Sequence, residues 1–252
     1  MWLHRRHKMA NPDLHIVNHQ GELPLHEAKR QLLAIAHLLH ARGWVANHDG
    51  NVTLRLPGQR LLATPTAMSK RVLTTGDLLV LDREDRVLQG GRRPFSEIKL
   101  HRAVYDVRPD VRAVVHSHSP NATALSVLGL AVEPRMLPEA IVSLGDSVPL
   151  LPYAFANGAD QVAALRQAAG QYDAVTLGNH GVLTWGDDLE QAYLRAELVE
   201  HLATIQLLAA RLASPALVPQ ADVARLLQAR TKAGLGPAAR AAQATPAAKG
   251  RG

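Results

Sequence analysis

The sequence predicts a mixed α/β domain, and three observations support that fold class. Apolar residues recur at helical spacing in several segments, short runs of leucine and β-branched residues lie between them, and turn residues separate the two kinds. Helical and strand-like segments alternate along the chain, as they do in α/β proteins. With 252 residues and 47% hydrophobic residues, the chain can bury a substantial core. We therefore expect one α/β domain.

For the first half of this domain, the sequence predicts a helix followed by a sheet-forming region. Apolar residues at helical spacing begin at Leu25, and Gly43 stands where a C-terminal cap would end the helix. Three short strand-like runs follow, joined by turn signals, at residues 52–56, 60–64 and 78–82. A helix predicted at residues 96–106 is entered through Pro94 and closes before Pro109.

The second half alternates strands and helices. A strand that carries His116 and His118 comes directly after the helix at residues 96–106. The remaining pattern predicts further helices at residues 121–128, 159–169 and 189–212, and further strands at residues 148–151, 174–178 and 182–185. The last of these helices is long and amphipathic, so we expect it to pack on the sheet.

The predicted domain covers residues 23–230, and the segments on either side lack a folding pattern. Residues 1–22 show no periodic apolar pattern, so we expect a flexible N-terminal segment. Residues 231–252 are mainly Ala, Gly, Pro and basic residues, so we expect a disordered basic tail. The net charge of +6 lies at this end, because residues 225–252 contain basic but no acidic residues. Such a tail is usually solvated, so no nucleic-acid partner is expected; a nucleic-acid-binding tail is the alternative.

Composition also bounds the setting of the protein. Cysteine is absent, which excludes disulfides and thiolate metal ligands and leaves His, Asp and Glu to hold an ion. The longest apolar stretches fall short of the ~20 residues that span a bilayer, and the basic N-terminus lacks the apolar core of a secretion signal. We therefore expect a cytoplasmic protein without a membrane partner.

Three histidines predict a metal site. His116 and His118 are one residue apart in a predicted strand, where alternate side chains leave the same face, so both imidazoles can point at one ion. His180, after the apolar run at residues 174–178, would supply a third. Three imidazoles around an open position are typical of a catalytic zinc site. The alternative is a set of polar residues at strand ends, hydrogen-bonded to neighbouring loops.

Glu97 lies in the first turn of the helix predicted at residues 96–106. It is either a carboxylate placed favourably against the helix dipole, or a fourth metal ligand that also moves a proton. His101 lies four residues further on the same helix face, and we expect it to pack beside the site or support a ligand.

Two turn-rich segments, residues 50–51 and 64–67, lie beside predicted strands. They are either plain turns or a nest in which Asn51, Thr66 and backbone N–H groups bind phosphate or carboxylate oxygens. Lys70 would then add positive charge to the anion site.

Five motifs occur in one order along the chain, and together they carry a resemblance: Gly50-Asn51-Val52, Ala63-Thr64-Pro65-Thr66, Ser96-Glu97, His116-Ser117-His118 and Asn179-His180-Gly181. From about residue 25 to residue 212 the chain resembles the class II aldolase/adducin family. This family includes fuculose-phosphate aldolase, ribulose-phosphate 4-epimerase, methylthioribulose-phosphate dehydratase and tetronate-phosphate decarboxylases.

The resemblance implies a three-layer α/β/α fold with a mostly antiparallel central sheet. It implies Zn²⁺ or a similar ion, Mn²⁺ or Co²⁺, and a homotetramer with active sites at subunit interfaces. Carried over by position, the metal ligands are His116, His118 and His180, with Glu97 as fourth ligand or general base. The positions that bind the substrate phosphate carry over as Asn51, Thr66 and Ser96.

The chain departs from fuculose-phosphate aldolase at three places. Ala67 replaces a glycine and Phe95 replaces a serine, and both changes remove room or a donor from the phosphate pocket. The tyrosine that donates a proton from the neighbouring subunit has no counterpart near Leu137. Glu139 is a substitute acid, as glutamate is in the dehydratase branch, or else a surface carboxylate.

The resulting hypothesis is a zinc-dependent aldehyde-lyase that cleaves a small phosphorylated ketose through a metal-bound enediolate. Glu97 would return a proton to carbon, and Glu139 would serve the aldehyde side. One alternative is a decarboxylase, dehydratase or epimerase that acts on a related ketose or sugar-acid phosphate at the same metal site. Another is a non-catalytic, adducin-like binding module.

Overall fold

A central sheet of eight strands organises the part of the chain that the computed structural model describes, residues 23–155 and 158–244. The strands are β1 (Asn51–Arg55), β2 (Leu61–Ala63), β3 (Leu79–Leu81), β4 (Val87–Gln89), β5 (Ala113–Ser117), β6 (Leu150–Leu151), β7 (Ala174–Leu177) and β8 (Gly181–Gly186). Their spatial order is β4-β3-β2-β1-β5-β8-β7-β6. Residues 1–22, for which the sequence predicts flexibility, lie outside the described residues.

The pairing of the strands is mixed. Neighbouring strands run antiparallel, except that β6 and β7 pair in parallel. The resemblance implies a mostly antiparallel sheet, and the one parallel pair lies at its edge. Because β5 pairs with both β1 and β8, residues from distant parts of the chain meet in the middle of the sheet.

Helices pack against the sheet on both sides. They are α1 (Leu25–Ala41), α2 (Ile98–Val107), α3 (Pro120–Val127), α4 (Pro138–Leu144), α5 (Ala159–Gln171), α6 (Leu189–Ala210), α7 (Gln220–Lys232) and α8 (Gly236–Ala244). Short 3₁₀ turns occupy Pro57–Gln59 and Pro134–Met136. None of the helices in the described ranges combines the length and apolar character that crossing a bilayer requires.

Alternate side chains of β5 belong to different cores. Val114 packs with residues of α2 and α5 in a core that includes the buried Trp185. Its neighbours Ala113 and Val115 pack with residues of α1 and α6 in a second core. A third cluster joins α3 and α4 to α6. Burial on both faces explains why the central strands read as continuous apolar runs rather than as alternating patterns.

The predicted helices and strands are all present, and the structure adds elements that the patterns did not indicate. β4 has only three residues, all of them exposed, and is too short to show a strand pattern in the sequence. α4 has only seven residues, too few for a clear helical period. α7 lies at the end of the predicted domain, where the patterns indicate no helix, and α8 lies in the segment 231–252, for which the composition predicts disorder. Residues 245–252 lie outside the described residues.

A buried carboxylate holds these C-terminal helices against the sheet. Asp173, just before β7, is fully buried and forms ion pairs with four arginines from separate parts of the chain. Its carboxylate oxygens lie 2.9 Å from Arg108, 3.3 Å from Arg195 and 3.3 Å from Arg240, and they also contact Arg230. Burial opposes ionisation, but attraction to Arg195, Arg108 and the other two arginines holds the pKa of Asp173 below its usual range.

We expect Asp173→Asn to lower the free energy of unfolding by about 3–5 kcal/mol, because buried guanidinium groups would lose their counter-charge. Chemical denaturation measures this loss. Asp222→Asn is the control, because Asp222 forms only an exposed pair with Arg225 and should change stability by at most about 1 kcal/mol. Since the folded pKa is depressed, the contribution is complete above the ordinary aspartate pKa and is lost as pH falls towards the folded pKa. Equal stability of the two variants would contradict the proposed role of Asp173.

Candidate metal centre and active site

Three histidines form a compact cluster at one end of the central strands. His116 lies on β5, His118 follows that strand, and His180 lies in the turn between β7 and β8. Their ring centroids are 4.8–5.0 Å apart, and one nitrogen from each ring lies within 4.8 Å of the others. The predicted trio therefore meets at one point, as a shared ion requires.

A glycine allows the strands to approach closely enough for this. β5 and β8 pair with Ser117 opposite Val182, next to Gly181. A Cβ atom at Gly181 would lie 2.4 Å from the carbonyl oxygen of Ser117 and 3.0 Å from the ring of His118. A larger residue would push His180 away from the other two histidines. The Asn-His-Gly motif thus has a steric reason for its glycine.

The donor set fits a divalent cation. Nδ1 of His116 donates to the carbonyl of Val182 at 2.9 Å, which leaves its Nε2 as an acceptor, 3.2 Å from Nε2 of His118. Burial lowers the pKa of His116, and burial with repulsion from His116 and His180 lowers that of His118 to about 4. These two rings are therefore neutral at pH 7 and present lone pairs to the centre of the cluster.

Glu97 completes the cluster with an ionised carboxylate. Its Oε1 lies 2.8 Å from Nε2 of His180, and its Oε2 lies 3.5 Å from Nε2 of His116. The side-chain amide of Asn51 donates to Oε2 at 2.9 Å. Burial opposes ionisation, but the neighbouring rings of His116 and His180 and the hydrogen bonds from His180 and Asn51 hold the pKa of Glu97 well below its usual range. Three imidazoles and one carboxylate are a donor set that suits zinc.

The residues predicted to bind phosphate lie around Glu97. Asn51 is opposite His116 in the β1–β5 pair, and its buried Oδ1 has no hydrogen-bond partner among the described residues. The backbone N–H of Thr66 donates to the carbonyl of Arg93 at 3.0 Å. This hydrogen bond brings the loop that carries Thr66 beside Ser96. Among the described residues, no hydrogen bond occupies the hydroxyls of Thr66 and Ser96, so both can bind a ligand.

The two substitutions noted in the sequence have distinct structural settings. Ala67 is exposed and has a φ of 56°, in the left-handed region that glycine adopts most easily. Phe95 is buried and packs edge-on against His101, with ring centroids 5.1 Å apart. Phe95 therefore belongs to the core and offers no donor to the anion site.

Lys70 is buried beside the site, but its ammonium group is engaged by backbone. Its Nζ donates to the carbonyls of His48 at 2.9 Å and Met68 at 3.2 Å, so it ties the two anion-site loops together. Burial lowers its pKa to about 8, against the attraction of Asp49 and Glu97. These contacts favour a role in which Lys70 supports the site through its positive charge and does not bind the phosphate directly.

The structure also shows contacts that the sequence did not indicate. Asp49 lies 3.6 Å from Nδ1 of His118, and its only sequence signal is its place next to Gly50-Asn51. Nδ1 of His101 forms a hydrogen bond with the hydroxyl of Thr53 at 2.8 Å. This bond holds α2, which begins next to Glu97, against β1. Burial lowers the pKa of His101 to about 3, so the ring is neutral. His101 thus supports the site by fixing the position of the helix that follows Glu97, as the sequence predicts.

Glu139 is not part of the cluster within one chain. It is an exposed residue in the first turn of α4, and none of its contacts in the described residues involves the histidines or Glu97. A catalytic role for Glu139 would therefore operate in the site of a neighbouring copy.

Comparison with known proteins agrees with this geometry. A family model described as the class II aldolase and adducin N-terminal domain matches residues 30–207. The L-fuculose phosphate aldolase of Methanococcus maripaludis is 31% identical over 177 residues, which are 69% of this chain and 93% of that protein. The 3-oxo-tetronate 4-phosphate decarboxylase of Haemophilus influenzae is 34% identical over 70% of this chain and 85% of its own length.

A solved structure gives the same result for the fold. The crystal structure of YgbL from Escherichia coli superposes with a TM-score of 0.75 and 28% identity, and it covers 81% of this chain and 99% of its own. The family match spans every metal-site residue described above. The chain therefore belongs to the class II aldolase/adducin family.

Proposed function

We propose that the protein is a zinc-dependent lyase that cleaves a small phosphorylated ketose into an aldehyde and a phosphorylated fragment. The observation that carries this proposal is the position of an ionised Glu97 among three histidine nitrogens. The hydroxyls of Thr66 and Ser96, which form no hydrogen bond within the described part of the chain, lie on the adjoining loops. One chain thus brings together a cation site, a proton-transfer group and an anion site. A relative that is 31% identical carries the name of a phosphate aldolase.

His116, His118 and His180 would hold the ion, and Glu97 would complete its coordination before substrate binds. Bound Zn²⁺ would supply Lewis acidity towards the carbonyl and hydroxyl oxygens of the substrate. Imidazole ligands also suit Mn²⁺ or Co²⁺, so the ion is part of the proposal.

The protein's own groups then bind the substrate and move protons. Thr66, Ser96 and the amide of Asn51 bind the phosphate, and Lys70 keeps their loops together. Asn51 also orients the carboxylate of Glu97, which takes up the proton of the substrate hydroxyl beside it and passes it to the carbon from which the aldehyde departs. We assign the aldehyde side to Glu139 of a neighbouring subunit, which accepts the proton of the hydroxyl that becomes the aldehyde oxygen, releases it to solvent, and acts as the acid in the reverse reaction; the phosphorylated fragment regains its hydroxyl proton from solvent. Glu139 is exposed, so it is free to reach a neighbouring site, and we propose that the protein is a cytoplasmic homotetramer.

Decarboxylation of a phosphorylated 3-oxo acid is the second candidate. The 34% identity to a 3-oxo-tetronate 4-phosphate decarboxylase favours it, and the replacement of the expected tyrosine by Glu139 is compatible with it. Dehydration and epimerisation would use the same cation site and the same carboxylate, so the metal site does not separate these reactions. The intact ligand set argues against a non-catalytic, adducin-like module.

A substrate panel tests the proposal directly. We expect the metal-loaded protein to release aldehyde from a phosphorylated ketose and to lose this activity with chelator. Release of CO₂ from a phosphorylated 3-oxo acid, without aldehyde release from any ketose, would replace the lyase with the decarboxylase. No turnover of any compound by protein with bound metal would support the binding module.

The metal assignment predicts that His118→Ala and His180→Ala lower bound zinc well below one ion per chain and abolish turnover. Metal analysis of the purified protein measures the first effect. His201→Ala is a matched control, because His201 is exposed on α6 and is not part of the cluster. Full zinc content in both site variants would remove the basis of the proposal.

The proton-transfer assignment predicts that Glu97→Gln keeps most of the zinc but lowers kcat by about 10²–10⁴-fold, because the amide cannot accept a proton. Glu84→Gln, which alters an exposed pair with Arg86, should leave kcat unchanged. Normal turnover of Glu97→Gln would exclude Glu97 as the base and leave it only a ligand role.

A further inference from the structure

The short helix α4 depends on the rest of the protein for its position. It has seven residues, begins at Pro138 and has no side-chain N-cap. A helix of this length is not stable by itself in water, so its tertiary contacts decide where it lies. Ala140, Ile141 and Leu144 are buried, whereas Glu139 is exposed in the first turn. The direction in which Glu139 projects is therefore set by whatever holds the two ends of α4.

The C-terminal segment contacts α4 at both ends. Just before the helix, the N–H of Val218 donates to the carbonyl of Arg135 at 2.8 Å. At the far end, the guanidinium of Arg230 on α7 donates to the carbonyls of Val142, at 2.9 Å, and of Ser143. These two carbonyls belong to the last turn of α4, where a cation is favoured by the helix dipole.

The side chain of Arg230 is buried in a space that exists because Gly236 has no side chain. It is only 4% exposed, and its other terminal nitrogen contacts Asp173 beside β7. A Cβ atom at Gly236, the first residue of α8, would lie 2.6 Å from Nε of Arg230. Gly236 also has a φ of 81°, which favours glycine. One planar side chain thus connects the end of α4, the start of α8 and the edge of the central sheet.

We propose that Arg230 is a positioning residue for Glu139. By capping α4 and anchoring it to Asp173, Arg230 fixes the helix that presents Glu139 to the neighbouring subunit's site. The C-terminal segment, which lies beyond the family match at residues 30–207, thereby contributes to turnover without touching the substrate. This inference rests on the proposed function of Glu139.

A double-mutant cycle tests the inference in the full-length, metal-loaded protein. We expect Glu139→Gln to lower kcat by about 100-fold and Arg230→Ala to lower it roughly 10-fold through misplacement of the acid. The double variant should be no slower than Glu139→Gln alone, because the acid that Arg230 positions is already absent. Zinc content should stay unchanged in all three variants.

Two further variants separate positioning from general stability. Arg230→Lys retains a charge for Asp173, but a single ammonium cannot also span both carbonyls, so we expect a folded protein with an intermediate kcat. Arg225→Ala, on the exposed side of the same helix, should leave kcat unchanged. Amide hydrogen exchange should speed up at residues 138–144 in Arg230→Lys and not in Arg225→Ala.

Each outcome has a distinct meaning. If Arg230→Ala lowers kcat by the same factor with and without Glu139, Arg230 acts through general structure and the inference is wrong. If Arg230→Lys has wild-type kcat and exchange, α4 does not depend on the cap. If Glu139→Gln alone has full activity, the proposed acid fails, and with it the catalytic meaning of Arg230. Faster exchange at residues 138–144 would then still show that Arg230 holds α4.

Discussion

The antiparallel pairing of β5 with β1 and β8 is the constraint on which the site depends. It sets Asn51 opposite His116 and places Gly181 beside Ser117. Residues from three distant segments therefore lie together at one end of the central strands. A register shift of one residue would turn His116 to the other face of the sheet. The cores on both faces oppose such a shift, because Val114 and Val115 each occupy a different one. Ordinary apolar packing thus maintains the geometry of the metal centre.

Two carboxylates in this fold, the fully buried Asp173 and the partly buried Glu97, have opposite surroundings. Asp173 is matched by four arginines, whose charges are permanent, and the result is a stable joint between the sheet and the C-terminal helices. Glu97 faces histidines, two of which burial keeps neutral, so its negative charge lacks a permanent partner. A bound cation would supply that partner. Arginines around Asp173 therefore indicate a structural role, whereas histidines around Glu97 indicate a functional one.

Local patterns in the sequence predicted much of the fold and most of the candidate site. The spacing of His116 and His118, together with the Asn-His-Gly motif, predicted a cluster that the structure contains. The patterns could not reveal α8, because Arg240 anchors it by an ion pair with a residue far away in sequence. They could not show that Lys70 would point at carbonyls, since its partners depend on loop packing. The role proposed for Glu139 requires a second copy of the chain, which no single-chain pattern describes.

Ala67 shows how the loop of the proposed anion site keeps its shape. A methyl-bearing residue in the left-handed region costs roughly 1–2 kcal/mol, yet the loop retains this conformation. The bridge between Pro65 and Pro94 and the hydrogen bond from Thr66 to Arg93 hold it there. Alanine also has fewer conformations than glycine in the unfolded chain. The loop is thus pre-organised by its neighbours, and a ligand that binds it need not meet the entropic cost of ordering a flexible glycine turn.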